Sequence, residues 1–155
     1  MRVAMILGVL RREDSDDPAE ILFALNNALI AQGQLGFSTA CCIRIALSGE
    51  FAYANAGHIA PYLGGRELET VPALPLGLVA DQVYSSVVRG RMEDGERIVL
   101  ISDGVPEARS QSGDLFGFEP LPSLSLRSPR EIAEAAQSFG QEDDITVLGL
   151  ALASE

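Results

Sequence analysis

The sequence has no lysine, no tryptophan and one histidine, and its two cysteines stand side by side. Without lysine, a P-loop lysine, a Schiff-base lysine and a kinase lysine are all excluded. A single histidine, His58, rules out zinc sites built on several imidazoles and leaves a His-dependent triad one candidate. Adjacent Cys41 and Cys42 make neither a disulfide framework nor a metal-finger spacing, so a reducing cytoplasm is the expected location. No apolar run is long enough to span a bilayer. Bases are scarce as well: 11, every one arginine, against 22 acids, for a formal net charge of −11. That balance disfavours a binder of nucleic-acid backbones. What is plentiful is carboxylate, the ligand that hard divalent cations prefer.

The 155 residues are 47% hydrophobic and 21% charged, the balance of a folded domain. One domain over residues 1–155 is expected, large enough to bury a core without staples. The opening Met1–Leu10 run is short for a signal peptide, has no small-residue cleavage site after it and ends abruptly at Arg11-Arg12-Glu13-Asp14, so it reads as a core helix. Asp16-Asp17-Pro18 starts a second helix, with an acidic N-cap and proline at the first helical position, and Gly33 follows its last turn.

Strands come next. Phe37–Leu47 and Phe51–Ala54 read as a hairpin turned at Ser48-Gly49-Glu50, and Pro61–Leu63 with Leu68–Val71 as a shorter one through Gly64-Gly65. Val83–Met92 alternates in strand fashion and turns at Glu93-Asp94-Gly95 into Arg97–Ser102. After Asp103 a Gly, Ser and Pro-rich stretch intervenes before Ser128-Pro129 opens a last helix, closed by Gly140. Ile145–Leu152 is a nearly all-apolar strand, as for one covered on both faces. Helices flanking mostly antiparallel strands make the class α+β.

Two acidic sites stand out by position. Asp103-Gly104 ends one apolar strand and Asp143-Asp144 begins another, so antiparallel pairing would bring both to one edge of a sheet. Two carboxylates there are costly to keep ionised without a cation between them, and no lysine is available to serve. Solvated strand-end turns, where aspartate is common, are the competing reading.

Six segments in order carry a family resemblance: Phe37-Ser38-Thr39-Ala40, Asn55-Ala56-Gly57-His58 with Pro61, Leu74-Pro75-Leu76-Gly77-Leu78, Asp94-Gly95-Glu96 with Ile101-Ser102-Asp103-Gly104-Val105-Pro106-Glu107-Ala108, Gly113-Asp114-Leu115-Phe116-Gly117, and Asp143-Asp144-Ile145-Thr146. The chain resembles the stage II sporulation protein E-like phosphatases, relatives of the type 2C metal-dependent protein phosphatases. The resemblance implies an α-β-β-α four-layer sandwich of mostly antiparallel sheets and a two-metal centre, Mn²⁺ or Mg²⁺, at one sheet edge. There a metal-activated water hydrolyses phosphoserine or phosphothreonine in line. It implies Asp103 and Asp143 as metal ligands and Gly104 beside the metal, where a missing Cβ allows close approach. Asp144, on the opposite face from its neighbour, is expected just outside the ligand set. Asn55 and His58 are expected at the site edge, the imidazole serving either as an acid–base group or as a hydrogen-bonding strut in a strand-to-loop corner.

The family pattern also has two earlier strands and an Asp-x-Ser-Gly-x-Gly loop whose aspartate bridges both metals. No such motif occurs in residues 1–155, so the resemblance implies an N-terminally truncated domain with an incomplete centre and an uncovered strand edge open to homo-oligomers. Two functions follow: a bacterial signalling phosphatase acting on a phosphoprotein such as an anti-sigma-factor antagonist, or a catalytically inactive regulatory module with the same fold. A Ser-His-Asp hydrolase built on His58 lacks its Gly-x-Ser-x-Gly elbow.

Overall fold

A computed structural model describes residues 2–33, 36–84 and 86–152, the side chains of residues 2 and 3 excepted. The chain divides into two compact units, one of residues 1–58 and 69–91, the other of residues 59–68 and 92–155. Both combine helices with an antiparallel sheet, so the class is α+β as expected.

The first unit holds α1 (Arg2–Leu10), α2 (Pro18–Ala31), β1 (Ala40–Ile45), β2 (Glu50–Ala56) and β5 (Val88–Arg91), the sheet running in the order β1-β2-β5. α2 starts where its sequence says: the Asp17 carboxylate accepts the Ala19 N–H at 2.8 Å, Pro18 occupies the first turn, and Gly33 stands past the end at φ +60°. Leu22, Leu25 and Leu29, one face of that helix, pack on Ala54 and Ala56 of β2, and α1 adds Met5, Ile6 and Val9. Burying each such leucine stabilises by about 1.5–3 kcal/mol. Buried Asn26 ties the Leu76–Val79 loop to α2, accepting the Gly77 N–H at 2.8 Å and donating to the Val79 carbonyl at 2.9 Å.

The second unit holds β3 (Tyr62–Leu63), β4 (Arg66–Glu67), β6 (Arg97–Ile101), α3 (Leu121–Leu124), α4 (Pro129–Phe139) and β7 (Val147–Ala151), with sheet order β4-β3-β6-β7. Ser128 and Glu131 form a reciprocal capping box at the start of α4. Ile132 and Ala136 of that helix, fully buried, meet Tyr62, Val99 and Ile101 from the sheet, and Phe116 stacks edge-on against Phe139 with ring centres 5.3 Å apart.

Three expectations are corrected. The short second hairpin closes at once: Gly64 and Gly65, both at positive φ, make a two-residue turn that pairs Leu63 with Arg66, so the partner strand is Arg66–Glu67 and not Leu68–Val71. The strand expected over Val83–Met92 shrinks to Val88–Arg91, because Tyr84 turns into the core on α2; Ser85 lies outside the described residues. β7 is not covered on both faces: none of its residues is fully buried and Leu148 is 51% exposed, and the strand lies at one edge of its sheet. The helical turn α3 had no clear sequence signal within its Pro and Ser-rich stretch.

Candidate metal centre

β6 carries Val99 and Ile101 into the core, and the chain then leaves the sheet. The Ser102 N–H still donates to the Thr146 carbonyl at 2.9 Å. Beyond it Val105 and Ala108, both buried, pull the chain inward, which folds residues 102–107 into a turn with the Val105 N–H on the Ser102 carbonyl and the Glu107 N–H on the Asp103 carbonyl. Asp103 lies exposed at the head of this turn, and one of its carboxylate oxygens accepts the Gly104 N–H at 3.1 Å.

The neighbouring strand arrives antiparallel, Ile101 opposite Val147, so Asp143 and Asp144 come in at the same end. Three further contacts join the two acidic segments. The Ser102 hydroxyl donates to the Asp144 carbonyl at 3.3 Å and accepts the Thr146 N–H at 2.9 Å, and buried Gly104 lies flat against the Asp144 peptide. A Cβ at Gly104 would overlap the Asp144 carbonyl oxygen and stand 3.0 Å from its carbon. The absent side chain is therefore what lets the aspartate loops meet. Asp143 is exposed, with one carboxylate oxygen on the Asp144 N–H at 2.7 Å. Asp144 contributes through its backbone, while its side chain is exposed. Upstream, the Arg109 N–H donates to the Gly140 carbonyl at 3.0 Å and its guanidinium meets Glu142 at 3.4 Å, fixing where the loop departs from α4.

The structure thus brings the Asp103-Gly104 and Asp143-Asp144 segments to one sheet end, with Gly104 directly against Asp144. Asn55 and His58 belong to the first unit. The Asn55 amide closes a corner on itself, donating to the His58 carbonyl and accepting the His58 N–H, each at 2.8 Å, while His58 Nδ1 lies 3.3 Å from the Thr39 hydroxyl. Thiolate chemistry has no foothold: burial, and next the Cys42 thiol, push Cys41 up to about 12, and burial with the Asp17 carboxylate pushes Cys42 up. Sequence reasoning missed Ser102, whose hydroxyl locks the two acidic segments together; its place between Ile101 and Asp103 was the available signal.

Carboxylate and carbonyl oxygens of this kind suit a hard cation such as Mn²⁺ or Mg²⁺. In number they are few: among the described residues no group of three or more His, Cys, Asp or Glu side chains is arranged to hold a metal.

The family described as stage II sporulation protein E (SpoIIE) matches residues 1–152. The chain belongs to the SpoIIE family. The family is one of protein serine/threonine phosphatases. Among solved structures, the RsbU and RsbW domains of a Mycobacterium tuberculosis protein are 25% identical, with a TM-score of 0.70, over 96% of this chain and 45% of that one. The SiaA-PP2C domain of Pseudomonas aeruginosa is 22% identical, TM-score 0.73, over 97% of this chain and 67% of that one. The phosphatase domain of the cell-fate determinant SpoIIE from Bacillus subtilis, solved after a manganese soak, is 19% identical, TM-score 0.55, over 99% and 72%. The chain therefore spans less than half of the mycobacterial relative, and the lower identities speak for the fold alone. Among curated proteins none matches this SpoIIE-family chain. No helix among its described residues is long and apolar enough to cross a membrane.

Proposed function

We propose that this chain is a metal-dependent protein serine/threonine phosphatase domain in which Asp103 and Asp143 hold Mn²⁺ or Mg²⁺ and the backbone of Gly104 lies beside the ion. The observation that carries the reading is the seating of Gly104 on the Asp144 peptide, which puts two acidic segments from separate strands at one sheet end with their carboxylates exposed. A divalent cation held there supplies an acidified water and neutralises charge on a phosphoryl group. The chain's own part is to fix the oxygens: Ser102 holds the two segments in register, and Val105 anchors the turn that presents Asp103. In this reading Asn55 and His58 shape a corner and move no proton. The family match over residues 1–152 supports taking the two units as one domain, and it supports a phosphorylated protein, of the anti-sigma-factor antagonist type, as substrate in a bacterial cytoplasm.

Fewer than three convergent side-chain donors among the described residues favour a second reading, an inactive module that keeps the fold. Two measurements separate them. Manganese titration followed by electron paramagnetic resonance should show one saturable site, lost in Asp103→Asn and in Asp143→Asn. Phosphoserine-peptide hydrolysis by the 155-residue chain should be weak, and should rise when a segment carrying an Asp-x-Ser-Gly-x-Gly loop is joined ahead of it. Manganese binding indifferent to both aspartates would end the metal reading, and binding without any gain in turnover would establish the inactive module.

A further inference from the structure

The first sheet extends beyond the start of α2. The ion pair of Arg44 with Asp16, 2.8 Å, sits just ahead of the helix, and the strand rows past it face a cavity of about 290 Å³. Its lining includes Arg44, Arg89 and Glu50, with Ala46 and Ala52 between them. Register explains the arrangement. Arg44 of β1 pairs with Ala52 of β2, and Ala52 pairs with Arg89 of β5, so the three side chains stand in one row on one face. The two arginines are therefore about 10 Å apart at the backbone, two strand spacings, with only a methyl group between them.

The next row on this face pairs Glu50 with Arg91. Asp16 takes one amino group of Arg44, and the Arg89 side chain has no ion-pair partner among the described residues. The one acid in the lining, Glu50, accepts the Ser48 hydroxyl at 3.2 Å. Two guanidinium forks on either side of a gap match a group with several anionic oxygens. One fork satisfies a carboxylate, whereas a phosphoryl group brings three oxygens and about −1.5 to −2 charges. The cavity is at the small end of ligand pockets, sized for a side chain and not for a nucleotide.

We propose that this cavity binds the phosphoryl group of a phosphorylated serine or threonine in a partner protein, with Arg44 and Arg89 closing on it across Ala52. The site shares no residue with the Asp103 and Asp143 cluster and does not depend on the phosphatase reading. It binds the group without hydrolysing it.

Amide chemical shifts of the 155-residue chain can be followed on titration with a short phosphoserine peptide, the same peptide with glutamate in that position, and inorganic phosphate. EDTA throughout keeps divalent cations away from Asp103 and Asp143. The phosphoserine peptide should shift the Arg44, Ala52 and Gly90 amides saturably. Arg89→Gln, at an exposed position, should weaken it about tenfold or more, the loss expected for a charge-assisted fork. Ala52→Glu, which sets a carboxylate between the guanidiniums, should abolish binding; if that variant fails to fold, Arg89→Gln decides. Equal binding of the glutamate peptide overturns the phosphoryl assignment, and unchanged affinity in Arg89→Gln overturns the site. Saturation by inorganic phosphate alone overturns the protein partner in favour of a free anion.

Discussion

The two units are built alike, an antiparallel sheet with helices packed on it, yet they treat polar groups where strands end in opposite ways. At the end of β2, Asn55 is 5% exposed and turns both ends of its amide back on His58. At the end of β6 and the approach to β7, Asp103 and Asp143 are exposed, and each spends one oxygen on the next residue's N–H. A carboxylate has room for about four hydrogen bonds, so most of that capacity is left over. A polar group consumed within its own corner sets shape. An exposed carboxylate with one local bond leaves its remaining acceptors to solvent and contributes little to shape. Position at a strand end therefore says little by itself about what a polar group does for the fold; what separates the cases is how much bonding capacity the fold uses up.

The largest test of this contrast is Gly104→Ala. The new methyl has to push apart the Asp103 turn and the Asp144 peptide, two backbones with no flexible side chain to give way, so unfolding in urea should show a loss of about 3 kcal/mol. A loss below about 0.5 kcal/mol would mean that the two segments are not locked together. Next in size is Asn55→Ala, which removes two 2.8 Å hydrogen bonds to the His58 backbone in a part-buried corner and should cost about 2 kcal/mol without altering manganese binding. Smaller again is Ser128→Ala at the head of α4, about 1 kcal/mol from the lost cap. Its Glu131 partner sharpens this: the Ser128 hydrogen bonds, side chain first and then backbone, hold that carboxyl below its ordinary value, so the cap's contribution is present above the unfolded pKa and falls away as pH drops through the lower folded one, a dependence the variant should show more weakly because the backbone bond remains. The smallest effect on stability belongs to Asp103→Asn. Its thermal midpoint should stay within about 2 °C of the parent, because an exposed side chain with one local bond supports little of the fold. An Asp103→Asn variant as damaged as Asn55→Ala would erase the distinction between the two strand ends.

Helix starts were legible in the sequence because their signals are local: Asp17-Pro18 and Ser128-Pro129 carry both the cap and the first-turn proline within adjacent residues. The β1–β2 hairpin was legible for the same reason, with Gly49 at φ +87° in its turn. That the segments carrying Asp103 and Asp143 reach the same sheet end was legible only through the assumption that two strands pair, which the β6–β7 register supplies. Tyr84 defeated the periodicity of Val83–Met92 because burial in the cluster that holds Leu22, Leu25 and Ala54 outweighs a local strand preference. Arg44 and Arg89 could not be associated in advance either. Forty-five positions apart, they are related only through a third strand whose register no local residue announces.

The chain passes from one unit to the other after His58, returns after Leu68 and leaves again after Arg91. This routing has a consequence for biosynthesis. The β3–β4 hairpin leaves the ribosome with strands of two residues each, far too short to stand alone, and its sheet partner β6 ends only at Ile101. At about 5–20 residues per second the hairpin waits about 2–7 s for that strand. During the same interval β5 emerges and can complete the sheet of the first unit. The first unit is thus able to close around an unfinished loop, and the second is assembled onto a hairpin already tethered at both ends, which shortens the search for its first long-range strand pair. Neither unit corresponds to a continuous stretch of sequence, so neither can be excised by a single cut at its border.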